Sequence, residues 1–190
     1  MTNRMGMEQY ESPRDAVRSL CDGLFDEHGG PPDFTTVEAA DVPDGFKTLL
    51  VHNNSMTRTL AAYHDRPVDL RVLTVRQSQD VYRRKILLTP RGSDCVVELG
   101  VARIELSLLP AAAREDVLAQ RIPLGDILAA HGIDGPTEPR WFLRFEPGAS
   151  PLGDLGGGWS GPSYGRLGAI HKDGHAMIDV LEIVTAERSS

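Results

Sequence analysis

The stretch that most constrains the fold is Val81–Pro90, which reads VYRRKILLTP. Aromatic and β-branched residues such as Tyr82 and Ile86, followed by a closing proline, predict a single β-strand. Successive side chains of a strand point to opposite faces, so Arg83 and Arg84 cannot both enter one pocket. We expect Arg84 to face an enclosed anion site and Arg83 to lie on the solvent side.

The composition sets limits on the class of protein. A chain of 190 residues with 41% hydrophobic and 25% charged residues is typical of one globular domain, here expected to span residues 1–190. The formal charge of −7 argues against nonspecific nucleic-acid binding, which needs a positive field. An anionic ligand would therefore have to be bound by local arginine or lysine side chains.

Two cysteines, Cys21 and Cys95, provide neither a disulfide framework nor a metal cluster, and both fit a reducing compartment. No apolar run approaches the ~18 residues of a membrane span, and residues 1–15 lack the apolar core of a signal peptide. The sequence therefore predicts a cytoplasmic protein without membrane association.

The sequence predicts about five helices and about six strands. Ser12 is a good N-cap for a helix that begins at Pro13, and residues 1–13 are expected to be frayed. Further helices are expected at residues 42–52, 56–64, 111–119 and 126–131, with a surface linker at 29–42. Strands are expected at residues 68–75, 81–90, 95–109, 140–145, 164–171 and 176–184.

Most of these strands are joined by hairpin turns, which indicates an antiparallel sheet and the α+β class. The glycine-rich segment 146–163 cannot be regular structure. It is interpreted as a loop, or alternatively as a lid in which Trp159 closes a pocket.

Four short motifs resemble the chorismate lyase family in order and spacing, over roughly residues 45–185. They are residues 54–58 (NSMTR), 84–88 (RKILL), 123–128 (PLGDIL) and 180–182 (VLE). The resemblance implies a six-stranded antiparallel sheet flanked by helices, with the ligand buried under flaps. It also implies a cofactor-independent carbon–oxygen lyase (chorismate pyruvate-lyase, or 4-hydroxybenzoate synthase), which eliminates pyruvate from chorismate to give 4-hydroxybenzoate.

The resemblance assigns roles to four residues. Arg84 would bind the ring carboxylate and Glu182 would face the ring hydroxyl, and these two would be the catalytic residues. Met56 and Leu124 would join them in binding substrate, largely through backbone amides. A planar guanidinium suits a carboxylate better than a lysine does, and a buried carboxyl can accept a proton or a hydrogen bond. A one-residue slip of the last strand would place Leu181, not Glu182, in the site.

A second hypothesis is a non-catalytic module of the same fold that binds a small molecule resembling hydroxybenzoate. The fold also serves as an effector domain of transcription regulators, but the segment before it carries one predicted helix, too little for a helix-turn-helix. His171 and His175 flank a turn without a third ligand nearby, so no metal is expected. We expect a monomer or a weak dimer, and the product could also be 3-hydroxybenzoate.

Overall fold

The computed structural model describes residues 6–133, 135–148 and 161–186, and it confirms the α+β class. The helices are α1 (Pro13–Cys21), α2 (Asp44–Leu50), α3 (Met56–Tyr63), α4 (Ala111–Ala119) and α5 (Leu124–Ala130). The strands are β1 (Thr35–Val37), β2 (Val68–Ser78), β3 (Val81–Pro90), β4 (Glu98–Glu105), β5 (Thr137–Phe145), β6 (Ser163–Lys172) and β7 (His175–Val184). All pairs of neighbouring strands are antiparallel, in the order β1-β5-β6-β7-β4-β3-β2.

The expected six-stranded sheet is wrong, because the described residues form seven strands. The additional strand, β1, lies within the segment 29–42 that was expected to be a linker, and its Thr36 pairs with Leu143 of β5. A strand of three residues is too short to show alternation in the sequence. The expected strand 95–109 is also shorter, since β4 ends at Glu105 and a 3-10 turn, Leu106–Leu108, follows.

Residues 6–13, which were expected to be frayed, lie against the sheet. Buried Asp179 of β7 accepts hydrogen bonds from the backbone N–H of Gly6 at 3.1 Å, from Gln9 Nε2 at 2.8 Å and from the Tyr10 hydroxyl at 3.3 Å. A buried carboxylate needs such donors, so it fixes the segment in place. The long sequence separation between the partners explains why the pattern did not predict this contact.

The two faces of the sheet carry different helices. Helix α1 packs on one face, in a core that includes Val101 and Leu181. Its first turn is capped as predicted, because Ser12 Oγ accepts a hydrogen bond from the backbone N–H of Asp15 at 3.2 Å. No helix in the described part of the chain is long and apolar enough to cross a membrane.

The opposite face of the sheet carries two separate apolar cores. Helices α2 and α3 pack in one, over Ile86 and Val184, and helices α4 and α5 pack in the other, over Ala102 and Val180. Between these cores the same face presents polar side chains from β3, β4, β6 and β7. Residues 149–160, which include the proposed lid residue Trp159, lie outside the described residues.

Candidate functional site

A cavity of about 70 Å³ lies between the two cores on this face of the sheet. Its floor is formed by β3, β4 and β7, and its walls include the first turns of α3 and α5. The four residues assigned to the site by sequence, Met56, Arg84, Leu124 and Glu182, all line this cavity. The structure thus brings the four together, while their roles remain predictions.

Arg84 projects from β3 into the cavity and is only 2% exposed. Its Nε and Nη1 atoms are buried and have no hydrogen-bond partner among the described residues. Burial lowers the pKa of Arg84, and the nearby Tyr82 partly offsets that effect. A guanidinium nevertheless keeps its proton in proteins, so Arg84 places an uncompensated positive charge at the cavity.

Glu182 is bound by Arg166, a fully buried residue of the neighbouring strand β6. Arg166 Nε donates to Glu182 Oε2 at 2.5 Å. Its Nη1 donates to the carbonyl oxygens of His52 at 2.7 Å and Leu50 at 3.3 Å, and its Nη2 donates to the carbonyl oxygen of Asn54 at 3.2 Å. Arg166 therefore neutralises Glu182 and fixes the connection between α2 and α3, and each of its three nitrogen atoms has a hydrogen-bond partner.

Glu98 of β4 is a second carboxyl group in the lining of the cavity. It is 3% exposed, and its Oε2 atom has no hydrogen-bond partner in the described part of the chain. Burial raises the pKa of Glu98 well above its usual value, the neighbouring Glu182 raises it further, and Arg166 opposes the shift. This environment therefore favours the protonated, neutral form of the Glu98 carboxyl.

Gly100 provides the space that the Glu98 side chain occupies. A Cβ atom at Gly100 would lie 3.0 Å from Glu98 Oε1 and 3.0 Å from Ile86 Cδ1. Gly100 is paired with Glu182 across β4 and β7. The absence of a side chain at this position thus lets the Glu98 carboxyl lie over the strand beside Glu182.

Met56 and Leu124 are the first residues of α3 and α5, whose first turns meet at the cavity. Neither helix has a side-chain hydrogen bond at its N-cap. The contact is close, since a Cβ atom at Gly125 would lie 2.7 Å from Thr57 Oγ1. The uncapped N–H groups of a first turn can donate hydrogen bonds to a negatively charged group of a ligand.

A more open groove of about 580 Å³ lies beside the cavity and shares Ser55 and Gly135 with it. The connection between α2 and α3 separates the two spaces. It is joined to β5 by a hydrogen bond from the backbone N–H of Thr137 to the carbonyl oxygen of Asn53 at 3.0 Å. This short connection is therefore the part of the cavity wall that also borders the groove.

The sequence analysis missed three residues of the site: Glu98, Gly100 and Arg166. The signal in the sequence is a charged residue within an otherwise apolar strand, as in VVELGVARI and SYGRLGAI. Such a charge is buried only when a partner or a cavity compensates for it.

Among the described residues, no group of three or more histidine, cysteine, aspartate or glutamate side chains could hold a metal ion. His171, one of the two histidines at the turn between β6 and β7, has its Nδ1 atom 3.7 Å from Oε2 of Glu138.

No protein-family profile matches the chain, and no curated protein matches it. The solved structures that are similar to it include the following three. The ligand-binding domain of a proposed GntR-family transcriptional regulator from Bordetella bronchiseptica has 12% identity and a TM-score of 0.44, covering 64% of this chain and 84% of that one. YydK, a candidate regulator from Bacillus subtilis, has 12% identity and a TM-score of 0.42, covering 65% and 60%.

PhnF from Mycobacterium smegmatis has 14% identity and a TM-score of 0.46, and the match covers 100% of this chain and 92% of that one. With TM-scores below 0.5, these likenesses carry no functional argument. The function is therefore argued from the cavity itself.

Proposed function

We propose that this protein is a ligand-binding module that takes up a small organic acid with a single negative charge in the cavity between its two cores. The observation that carries the proposal is Arg84, a buried guanidinium with two unpartnered nitrogen atoms in the cavity wall. An uncompensated buried charge costs several kcal/mol, so a bound anion would offset a cost that the free protein bears. A carboxylate fits the guanidinium fork with two parallel hydrogen bonds.

The balance of charges around the cavity favours one anionic group on the ligand. Arg166 and Glu182 neutralise each other, and burial favours the neutral form of Glu98, so Arg84 supplies the net charge of the described lining. Chorismate carries two carboxylates, and only one of them would find an unpaired cation here. This count supports a binding module over the lyase.

The size of the cavity also favours a small ligand. Its volume of about 70 Å³ is smaller than the ~150 Å³ of an engineered apolar cavity that holds benzene. A molecule built on one ring would need the wall to widen, and the connection between α2 and α3 is the part of the wall that also borders the open groove. We expect the ligand to pass between the two spaces there.

A chorismate lyase is the second candidate, and the uncapped first turns of α3 and α5 favour it. Arg84 would bind the ring carboxylate, Glu182 would face the ring hydroxyl, and the N–H groups near Met56 and Leu124 would stabilise the departing enolpyruvyl group. Aromatisation drives this elimination, so positioning and electrostatic stabilisation would supply the rate. The reaction would require no cofactor.

Calorimetric titration with benzoate, 3-hydroxybenzoate and 4-hydroxybenzoate, together with an assay of pyruvate release from chorismate, tests both candidates. We expect at least one benzoate to bind, Arg84→Gln to abolish that binding, and Arg114→Gln, an exposed arginine on α4, to leave it unchanged. Binding without pyruvate release identifies the module. Pyruvate release identifies the lyase, and the aromatic product then distinguishes 4- from 3-hydroxybenzoate. Absence of binding and of turnover would refute both.

A further inference from the structure

We propose that Glu98, whose carboxyl lies over Gly100, is a further specificity-determining residue of the cavity. Glu98 and Glu182 would together bind one hydroxyl group of the ligand. This inference rests on the proposed function, because it concerns the other end of the same ligand. It implies that the ligand is a hydroxylated organic acid and not a simple carboxylic acid.

The strand register places the two carboxyl groups side by side. Gly100 is paired with Glu182, and Glu98 precedes Gly100 by two residues on the same face of β4. Diagonal neighbours of this kind have Cα atoms about 7–8 Å apart, within reach of two glutamate side chains. The 3.0 Å separation between Glu98 Oε1 and a Cβ atom built on Gly100 indicates that the Glu98 carboxyl lies over Gly100, the residue that is paired with Glu182.

Arg84 lies at the other end of the cavity from Glu98. Arg84 is paired with Ala102, four residues along β4 from Glu98. At standard strand geometry this is a separation of about 13 Å along the strand. A ligand whose carboxylate binds Arg84 therefore directs its opposite end toward the pair of carboxyl groups.

The two carboxyl groups offer complementary hydrogen-bonding partners. The buried Oε2 atom of Glu98 has no partner in the described part of the chain, and in its protonated form, which burial favours, the carboxyl carries an O–H donor. Glu182 accepts from Arg166 through Oε2, which leaves its Oε1 atom as an acceptor. A hydroxyl group accepts from the first and donates to the second at the same time. If the ligand carried a second carboxylate at this end, Glu182 would repel it. If the ligand carried only C–H groups there, both carboxyl groups would stay without a hydrogen-bond partner.

Titrations with benzoate and its two hydroxylated forms isolate the contribution of the hydroxyl group. For the wild-type protein we expect one hydroxybenzoate to bind at least about tenfold more tightly than benzoate, as for a buried hydrogen bond to a charged group. Glu98→Met keeps the volume and removes the donor, so the preference should fall to within about threefold. Glu98→Gln keeps a donor and should restore it. Glu115→Gln, an exposed glutamate on α4, is the control.

The outcomes separate the inference from the proposed function. A wild-type protein that binds benzoate and both hydroxybenzoates equally, or a Glu98→Met variant that keeps the tenfold preference, overturns the role of Glu98 while the binding module stands. A wild-type protein that binds none of them overturns the proposed function and the inference with it.

The stability of the free protein provides a second test that needs no ligand. If the role of Glu98 is to bind the ligand, its replacement removes an unsatisfied buried group from the free protein. Glu98→Met should then raise the melting temperature of the free protein by a few degrees. If Glu98 serves the fold, the same change should lower the melting temperature. A drop in Glu98→Met that Glu98→Gln does not share would overturn the inference.

Discussion

Arg166 is the residue whose replacement tests the architecture of the site most directly. Its guanidinium donates to Glu182 and to the carbonyl oxygens of Leu50, His52 and Asn54. Replacement by glutamine leaves Glu182 as a buried charge without a countercharge, which costs about 3–5 kcal/mol. The carbonyl oxygens can recover water if the connection between α2 and α3 loosens, so we take about 4 kcal/mol as the expected loss in the free energy of unfolding.

Urea unfolding at pH 7 measures this loss, with Arg114→Gln as the control on an exposed helix. The control should stay within about 0.5 kcal/mol of the wild-type value. The double variant Arg166→Gln/Glu182→Gln removes both charges and should be at least about 1.5 kcal/mol more stable than the sum of the single changes predicts.

Two results would refute this reasoning: a loss below about 1 kcal/mol in Arg166→Gln, or additive effects in the double variant. Either would mean that Arg166 does not neutralise Glu182. The count of charges that favours a ligand with a single negative charge would then fail.

Three further predictions follow from other contacts. Gly100→Ala displaces the Glu98 carboxyl by a few tenths of an ångström, so titration should show a weaker preference for hydroxybenzoate over benzoate and unchanged binding of benzoate. The pKa of Glu98 is raised in the folded protein, so ionisation of its carboxyl destabilises the folded state, and this cost grows as the pH rises above the ordinary pKa of 4.5. Wild-type stability relative to Glu98→Gln should therefore fall above pH 4.5, by at most about 1.4 kcal/mol per pH unit in urea unfolding. Asp179→Asn removes one countercharge of Arg103 and should cost about 3 kcal/mol, with faster amide exchange in residues 6–10.

The sequence predicts those parts of the fold that depend on local patterns. The bounds of β3 and α4 agree with the prediction to the residue, because a strand ending in proline and a run of alanine-rich helix formers are strong local signals. The alternation of side chains in β3 also separates Arg84, which lines the cavity, from Arg83 on the other face. The expectation that Arg83 lies on the solvent side is met only in part, because Arg83 is half-buried and its Nε atom is fully buried.

The remaining features depend on contacts between distant parts of the chain. The partner of Arg166 and the environment of Glu98 follow from the register between β4, β6 and β7, and no periodicity within one strand specifies that register. The role of Gly100 is likewise visible only after Glu98 and Glu182 are placed beside it. The site residues that the sequence could not predict are therefore those whose function is to support one another.

The free protein bears the energetic cost of the cavity, and the final prediction measures that cost. Arg84 is a buried cation without a partner in the described structure. Replacement of even a buried ion pair by apolar side chains of similar volume is often stabilising, by about 1–4 kcal/mol, and an unpaired charge lacks the attraction that offsets its desolvation. Arg84→Met should therefore raise the free energy of unfolding in urea and abolish the stabilisation that benzoate gives the wild-type protein. If Arg84→Met lowered the stability of the free protein by more than about 1 kcal/mol, Arg84 would be serving the fold, and a bound anion would no longer be needed to explain its position.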